Sequence, residues 1–210
     1  LIRSAEPHQP ITHNMMGPFN EINYYDLARS LDVAGLDVYP NFPEHGEPIN
    51  PYTPALHHDI TRGLKDGAGY WILEHMSGTP GAHILKATPK PGELRRWSYQ
   101  SIGHGADMLL YFRWRTATIG AEQYWHGILQ HSGEPGRNYE EARRIGTEFA
   151  RLASALEGTV VKSDVAIVRD YENDWVFAIQ PHNPGYSYLR RLKHYHRYFI
   201  EKHNGVDVVG

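Results

Sequence analysis

Tyr70-Trp71-Ile72-Leu73-Glu74-His75 is the stretch on which the reading of this chain turns. Four apolar residues run unbroken into a charged end. The run follows a turn signal at Asp66-Gly67 and precedes a loop over residues 76–92 rich in Pro and Gly. A short, continuous apolar run bounded this way predicts a strand covered on both faces, as in a parallel sheet. Working outward, the alternation repeats. Strands are predicted over 10–16, 35–39, 70–75 and 108–114. Helices are predicted over 24–32, 55–65, 94–105 and 139–157, the last closed by Gly158. The 24–32 segment shows the helical period in Tyr24, Leu27, Ala28 and Leu31. Long loops (41–54, 76–92 and the stretch holding Glu122 to His126) all follow strands, whereas helix-to-strand links are short. That asymmetry belongs to a (β/α)8 barrel, whose active site is built from the loops after its strands. Four βα units before residue 158 make half of one. Residues 1–158 are therefore expected to be half of a TIM barrel. Residues 159–210 are expected to begin a second α/β domain, with strands at 165–168 and 206–209 around a helix over 185–203.

Composition excludes several functions. The chain has 210 residues and a formal net charge of -3, which argues against binding nucleic acid through a basic surface. It has no Cys, so disulfides, thiolate metal sites and a cysteine nucleophile are excluded. No apolar run reaches the roughly 18 residues of a membrane span. The first residues, from Leu1 to Glu6, carry no signal-peptide pattern, so no membrane partner and a cytoplasmic location are expected. With 14 Tyr and 5 Trp, the chain suits ligands that offer flat faces, although an aromatic-rich core explains the same numbers.

The chemistry-bearing residues concentrate after the strands. Glu74 ends the third strand, where a barrel presents a rigid, ionised carboxylate, as a glycosidase nucleophile must be. The competing reading is a strand-end Glu paired with Arg or Lys. Phe112-Arg113-Trp114-Arg115 and Ala121-Glu122-Gln123-Tyr124-Trp125-His126-Gly127 mix rings, fixed cations, a carboxylate and an imidazole. Sugars call for that mixture, because rings cover C–H faces while charged groups bind hydroxyls. A solvated loop over core aromatics is the alternative. His57-His58-Asp59 suggests a metal, but adjacent helical His residues point to different sides, so surface polarity is the better reading and no metal is expected. Asn20-Glu21 imitates the way barrel glycosidases present a general acid; its place before a helix favours helix entry.

Taken together, these residues resemble the family 42 glycoside hydrolases, the β-galactosidases built on a TIM barrel. Thr12-His13-Asn14-Met15-Met16-Gly17 is similar to that family's fifth-strand motif, Asp37-Val38-Tyr39-Pro40 to its sixth, and Leu73-Glu74-His75 to the stretch carrying the nucleophile. Gly105-Ala106-Asp107 through Tyr111-Phe112-Arg113-Trp114-Arg115 is the most specific match. The resemblance implies strands 5–8 of the barrel followed by the start of a flavodoxin-like domain linked to trimer formation. It implies retaining hydrolysis of terminal β-galactosides, with Glu74 catalytic and no cofactor. It also implies substrate contacts from Phe112, Glu122, Trp125, His126 and Trp114, and a general acid upstream of Leu1, so that these residues alone are expected to be inactive. Two departures touch the sugar site. Ala82 stands where the family usually has Trp, and Trp125 where it commonly has His, with His126 one residue later. A related pyranoside such as an arabinopyranoside is the alternative substrate, and a non-catalytic carbohydrate-binding remnant the alternative function.

Overall fold

The computed structural model describes residues 2–6, 8–40, 49–81 and 87–210. In chain order the elements are α1 Ile2–Ala5, β1 Asn14–Met15, α2 Tyr24–Ala28, β2 Gly35–Val38, α3 Tyr52–Gly63, β3 Tyr70–Met76, α4 Glu93–Gly103, β4 Ala106–Phe112 and α5 Arg137–Leu156. There follow β5 Val165–Val168, α6 Tyr171–Ile179, α7 Tyr188–Glu201 and β6 Val206–Val209. β1 to β4 form one parallel sheet in chain order, and β5 and β6 pair in parallel in a second. The protein is thus α/β with parallel sheets, and the apolar stretch quoted above is β3, an inner strand.

Apolar strand faces build the core. Met15, Leu36, Val38, Tyr70, Ile72 and Ala106 are buried together with Ala28 and Leu31 from the α2 segment. In a second cluster, Met76 packs with Leu94 and Trp97 of α4 and Ile145 of α5. A third group joins the two sheets: Leu56 and Ile60 of α3 meet Leu192 of α7 and Val208 of β6.

Three expectations need correction. The first strand is two residues long, not seven, because Ile11 is engaged elsewhere: its N–H donates to Asp32 Oδ2 at 2.7 Å and its carbonyl accepts from Asp32 N at 2.8 Å. The second unit holds two helices between its strands, not one. α6 was not legible because its apolar residues lack a helical stripe; Tyr171 is buried, while Val176 and Ile179 are exposed. Its N-cap, Asp170, accepts from the N–H groups of Glu172 and Asn173. It docks through Tyr171 Oη, which donates to the Phe19 carbonyl, and Trp175 Nε1, which donates to that of Asn20.

The third correction concerns His57-His58-Asp59. His58 and Asp59 do not lie on the surface: both are 1% exposed. Asp59 accepts from Arg62 Nη1 at 2.6 Å, His104 Nδ1 at 2.7 Å and His196 Nε2 at 2.7 Å. Arg62, also buried, donates further to the carbonyls of His104 and Val206 and to Asp207. One carboxylate and one guanidinium thus join α3, the end of α4, α7 and β6. Burial opposes the charge on Asp59, but the hydrogen bonds from His104 and His196 and the charge of Arg62 outweigh it and hold the carboxyl well below its usual range. Gly63 lets α3 come this close, since a Cβ there would lie 1.8 Å from the Val208 carbonyl oxygen.

Candidate active site

Neighbouring strands carry three polar side chains side by side. Asn14 lies in β1, Asp37 in β2 and Glu74 in β3, and Asp37 and Glu74 are register partners across the β2–β3 ladder. Parallel pairing is what brings them together, because it aligns equivalent ends of successive strands. Asn14 Nδ2 donates to Asp37 Oδ1 at 2.9 Å and Oδ2 at 3.2 Å, and reaches Glu74 Oε1 at 3.4 Å. The second Glu74 oxygen accepts from the hydroxyl of Tyr39, just beyond β2. Among the described residues Glu74 has no Arg or Lys partner. Burial, then the charge of Glu74, push the Asp37 carboxyl up to about 7 against the opposing effect of the Asn14 amide. Burial and the bond to Glu74 keep the Tyr39 hydroxyl protonated far above its ordinary range.

The loop after β4 closes over this group. The Tyr39 ring meets Trp125 edge-on at 5.3 Å and His126 at 5.8 Å, and Phe112 meets His126 edge-on at 6.3 Å. Trp125 and His126 are buried. Ser77, just after β3, brings its hydroxyl within 3.0 Å of His126 Nδ1 and donates to the Phe112 carbonyl at 2.7 Å. Burial pushes His126 down to about 4, so near neutral pH it is an uncharged ring in an aromatic wall. The loop is fastened by Ile128 N and Leu129 N, which donate to the carbonyls of Arg113 and Trp114. Gly127 is required there, because a Cβ would sit 2.3 Å from Thr116 N.

Glu122 joins the wall from outside. Arg113 Nη1 donates to Glu122 Oε2 and Nη2 to its carbonyl, both at 2.9 Å, and Trp125 N donates back to that carbonyl at 3.0 Å. Of the residues singled out in the sequence, Phe112, Trp125 and His126 are gathered near Glu74, with Glu122 tethered through Arg113. Trp114 stands apart, 64% exposed, with its ring against Tyr139 of α5. Ala82 lies outside the described residues. Glu21 is exposed, and the N-cap of α2 is Asn23, whose side chain accepts from Tyr25 N and Asp26 N. Sequence reasoning quoted Asn14, Asp37 and Tyr39 inside motifs but gave them no role. The signal that could have found them is a polar residue at the end of each successive β-strand. Among the described residues no group of three or more His, Asp or Glu is arranged to hold a metal, and no helix is long and apolar enough to cross a membrane.

A carboxylate at a parallel-strand end, beside an aromatic wall with cationic and carboxylate groups, has the makings of a glycoside hydrolase site. The comparisons agree on that class. Residues 1–152 match the family model described as beta-galactosidase, of the family 42 glycoside hydrolases, and residues 163–210 match the beta-galactosidase trimerisation domain. The chain belongs to that family. It is 38% identical over 210 residues to a beta-galactosidase of Clostridium cellulovorans, covering all of this chain and 32% of that protein. It is 33% identical over 220 residues to one from Thermus thermophilus, covering 99% of this chain and 33% of the relative. Among solved structures, the beta-galactosidase of the Antarctic haloarchaeon Halorubrum lacusprofundi superposes with a TM-score of 0.90 at 33% identity, covering 99% of this chain and 32% of that one. That of Bacillus circulans superposes with a TM-score of 0.91 at 26% identity, covering 99% and 30%. The chain spans about a third of the length of the relatives it matches.

Proposed function

We propose that the protein carrying this chain is a retaining β-galactosidase, that Glu74 is its nucleophile, and that β1 to β4 are strands 5–8 of its (β/α)8 barrel. The observation that carries the proposal is the setting of Glu74. One oxygen is within reach of Asn14 and the other accepts from Tyr39, so the carboxylate is aimed by neutral donors and has no Arg or Lys partner among the described residues. Tyr39, Trp125, His126 and Phe112 form the wall against which a sugar ring packs. A Glu74 oxygen attacks the anomeric carbon as the glycosidic C–O bond breaks, giving a glycosyl ester. A second carboxyl, about 5–5.5 Å away, protonates the leaving oxygen and then draws the proton from the water that hydrolyses the ester. Glu122 binds sugar hydroxyls without taking part in the chemistry, and Trp114 extends the contact surface on the same loop. Two-carboxyl chemistry of this kind needs no cofactor.

The sugar is a terminal β-galactoside, in keeping with the names of the relatives. Residues 159–210 begin a flavodoxin-like domain that helps to assemble a trimer, supported by the family match over 163–210. The deciding test is Glu74→Ala assayed with an aryl β-galactoside. Turnover is lost, and added azide restores release of the aryl group with an inverted galactosyl azide as product. Near-normal kcat in the variant would overturn the assignment.

A further inference from the structure

The proposed nucleophile has a second carboxyl beside it that the hydrolysis described above does not use. Asp37 and Glu74 face each other from adjacent strands and share one donor, the Asn14 amide. Asp37 is partly buried, and among the described residues no Lys or Arg pairs with it. The titratable groups that face it are Glu74 from β3, Tyr24 from α2 and Tyr39 at the end of its own strand. Two carboxyls so placed do not ionise independently, because each charge opposes the other.

We propose that Asp37 is a positioning residue for the reaction at Glu74: it holds a proton while Glu74 is an anion and releases it when Glu74 becomes an ester. This rests on Glu74 being the nucleophile. The balance is simple. Glu74 forms its bond to the anomeric carbon, and the leaving oxygen departs with the electron pair of the broken bond. Glu74 is then neutral, its repulsion no longer adds to the larger effect of burial in keeping Asp37 protonated, and the loosened Asp37 proton passes to solvent. Hydrolysis of the ester restores the Glu74 charge, and Asp37 takes a proton back. Because Asp37 holds its proton less tightly once the charge on Glu74 spreads into the new bond, ester formation is faster when Asp37 starts ionised. The gain is tenfold for each unit by which the Asp37 pKa falls on the way to the transition state. The rise is centred where Asp37 titrates, at about 7.

The test is the pH profile of kcat/KM for a 2,4-dinitrophenyl galactoside, whose leaving group needs no proton, so that the acid–base carboxyl drops out. The wild type shows a severalfold rise through about pH 7. In Asp37→Asn, which keeps the shape and removes the titration, the rise is gone. An Asp37→Asn profile that retains the rise would overturn the proposal. So would a variant that loses activity only on substrates with poor leaving groups, since that result makes Asp37 the acid. Infrared titration of the inactive Glu74→Gln protein supplies a measurement independent of turnover. There the carboxyl that titrates near 7 in the wild type moves down, burial still holding it above the usual aspartate range, and one left at 7 would refute the coupling. Failure of the Glu74 reading is separate, since it leaves Glu74→Gln itself active.

Discussion

The Tyr39 hydroxyl donates to one oxygen of Glu74, tying the end of β2 to the carboxylate on β3. The same ring stands edge-on to Trp125, so a single side chain links the reactive group to the wall above it. Tyr39→Phe keeps the ring and removes the donor. A hydrogen bond to a charged group is worth about 1.5–3 kcal/mol. The expected result is a kcat lower by roughly tenfold to a hundredfold, with the thermal midpoint nearly unchanged, as read by steady-state kinetics and calorimetry.

Glu122→Gln separates binding from stability. The Arg113–Glu122 pair is open to solvent on the Glu side, and exposed pairs contribute little, about 0–1 kcal/mol. The Arg113 bond to the Glu122 carbonyl survives the substitution. Stability therefore stays close to wild type. kcat/KM for an aryl galactoside falls as a charge-assisted bond to a sugar hydroxyl is lost, about 1.5–3 kcal/mol. Azide restores nothing here, and restoration by azide would exchange the roles of Glu122 and Glu74.

Arg62→Met leaves Asp59 buried without its arginine partner. Breaking one side of a buried pair costs about 3–5 kcal/mol. Removing both charges in Asp59→Asn/Arg62→Met is expected to cost less than the sum of the single changes. A double-mutant cycle on unfolding free energies measures the difference, and strict additivity would contradict the network.

Stability is expected to decline with acid in two stages. Burial lowers His126 and His75 to about 4 in the folded protein, below the ordinary His value near 6.5. Protons therefore bind the unfolded chain first, and the stability these rings allow is complete above about 6.5 and drains away as pH falls toward 4. Asp59 is also depressed, so its contribution persists above the usual aspartate value, about 3.9, and is lost only as pH falls below that. Unfolding curves between pH 8 and 3 check the order, and His75→Asn flattens part of the first stage. A stability that held level from pH 7 to pH 4 would contradict it.

Two glycines mark close approaches of opposite consequence. Gly63→Ala pushes α3 away from the Val208 carbonyl and is expected to lower the thermal midpoint, since overpacking costs about 1–3 kcal/mol. Gly127→Ala forces the Trp125-His126 turn off Thr116, so activity is expected to fall further than stability. Paired melting and kinetic measurements on both variants distinguish the two.

Much of this protein is legible along the chain. The apolar run ending in Glu74 is β3, the alternation of strand and helix is the parallel sheet in chain order, and Gly158, at a φ of 71°, follows the end of α5 as its sequence implies. These features rest on local pattern: burial on both faces makes a strand continuously apolar, and a helix end that needs a left-handed residue takes glycine. Glu74 stood out for the same reason, as the charge that ends an apolar run.

Contacts between distant segments have no such trace. Asn14, Asp37 and Glu74 are far apart in sequence, and only the parallel register sets them around one amide. His58 and Asp59 read as surface residues because their partners are mostly distant along the chain: Asp59 meets Arg62 of α3, His104 at the end of α4 and His196 of α7, and His58 meets the hydroxyls of Tyr70 and Ser101. α6 carries no amphipathic stripe, and the Phe19-Asn20 backbone holds it from outside. The sequence by itself determined which segments are strands and helices and which carboxylate ends an inner strand, because burial patterns are local. Which carboxyls stand side by side, which charges are buried in pairs and which rings face Glu74 were decided by tertiary structure alone, because electrostatic coupling depends on separation in space and not along the chain.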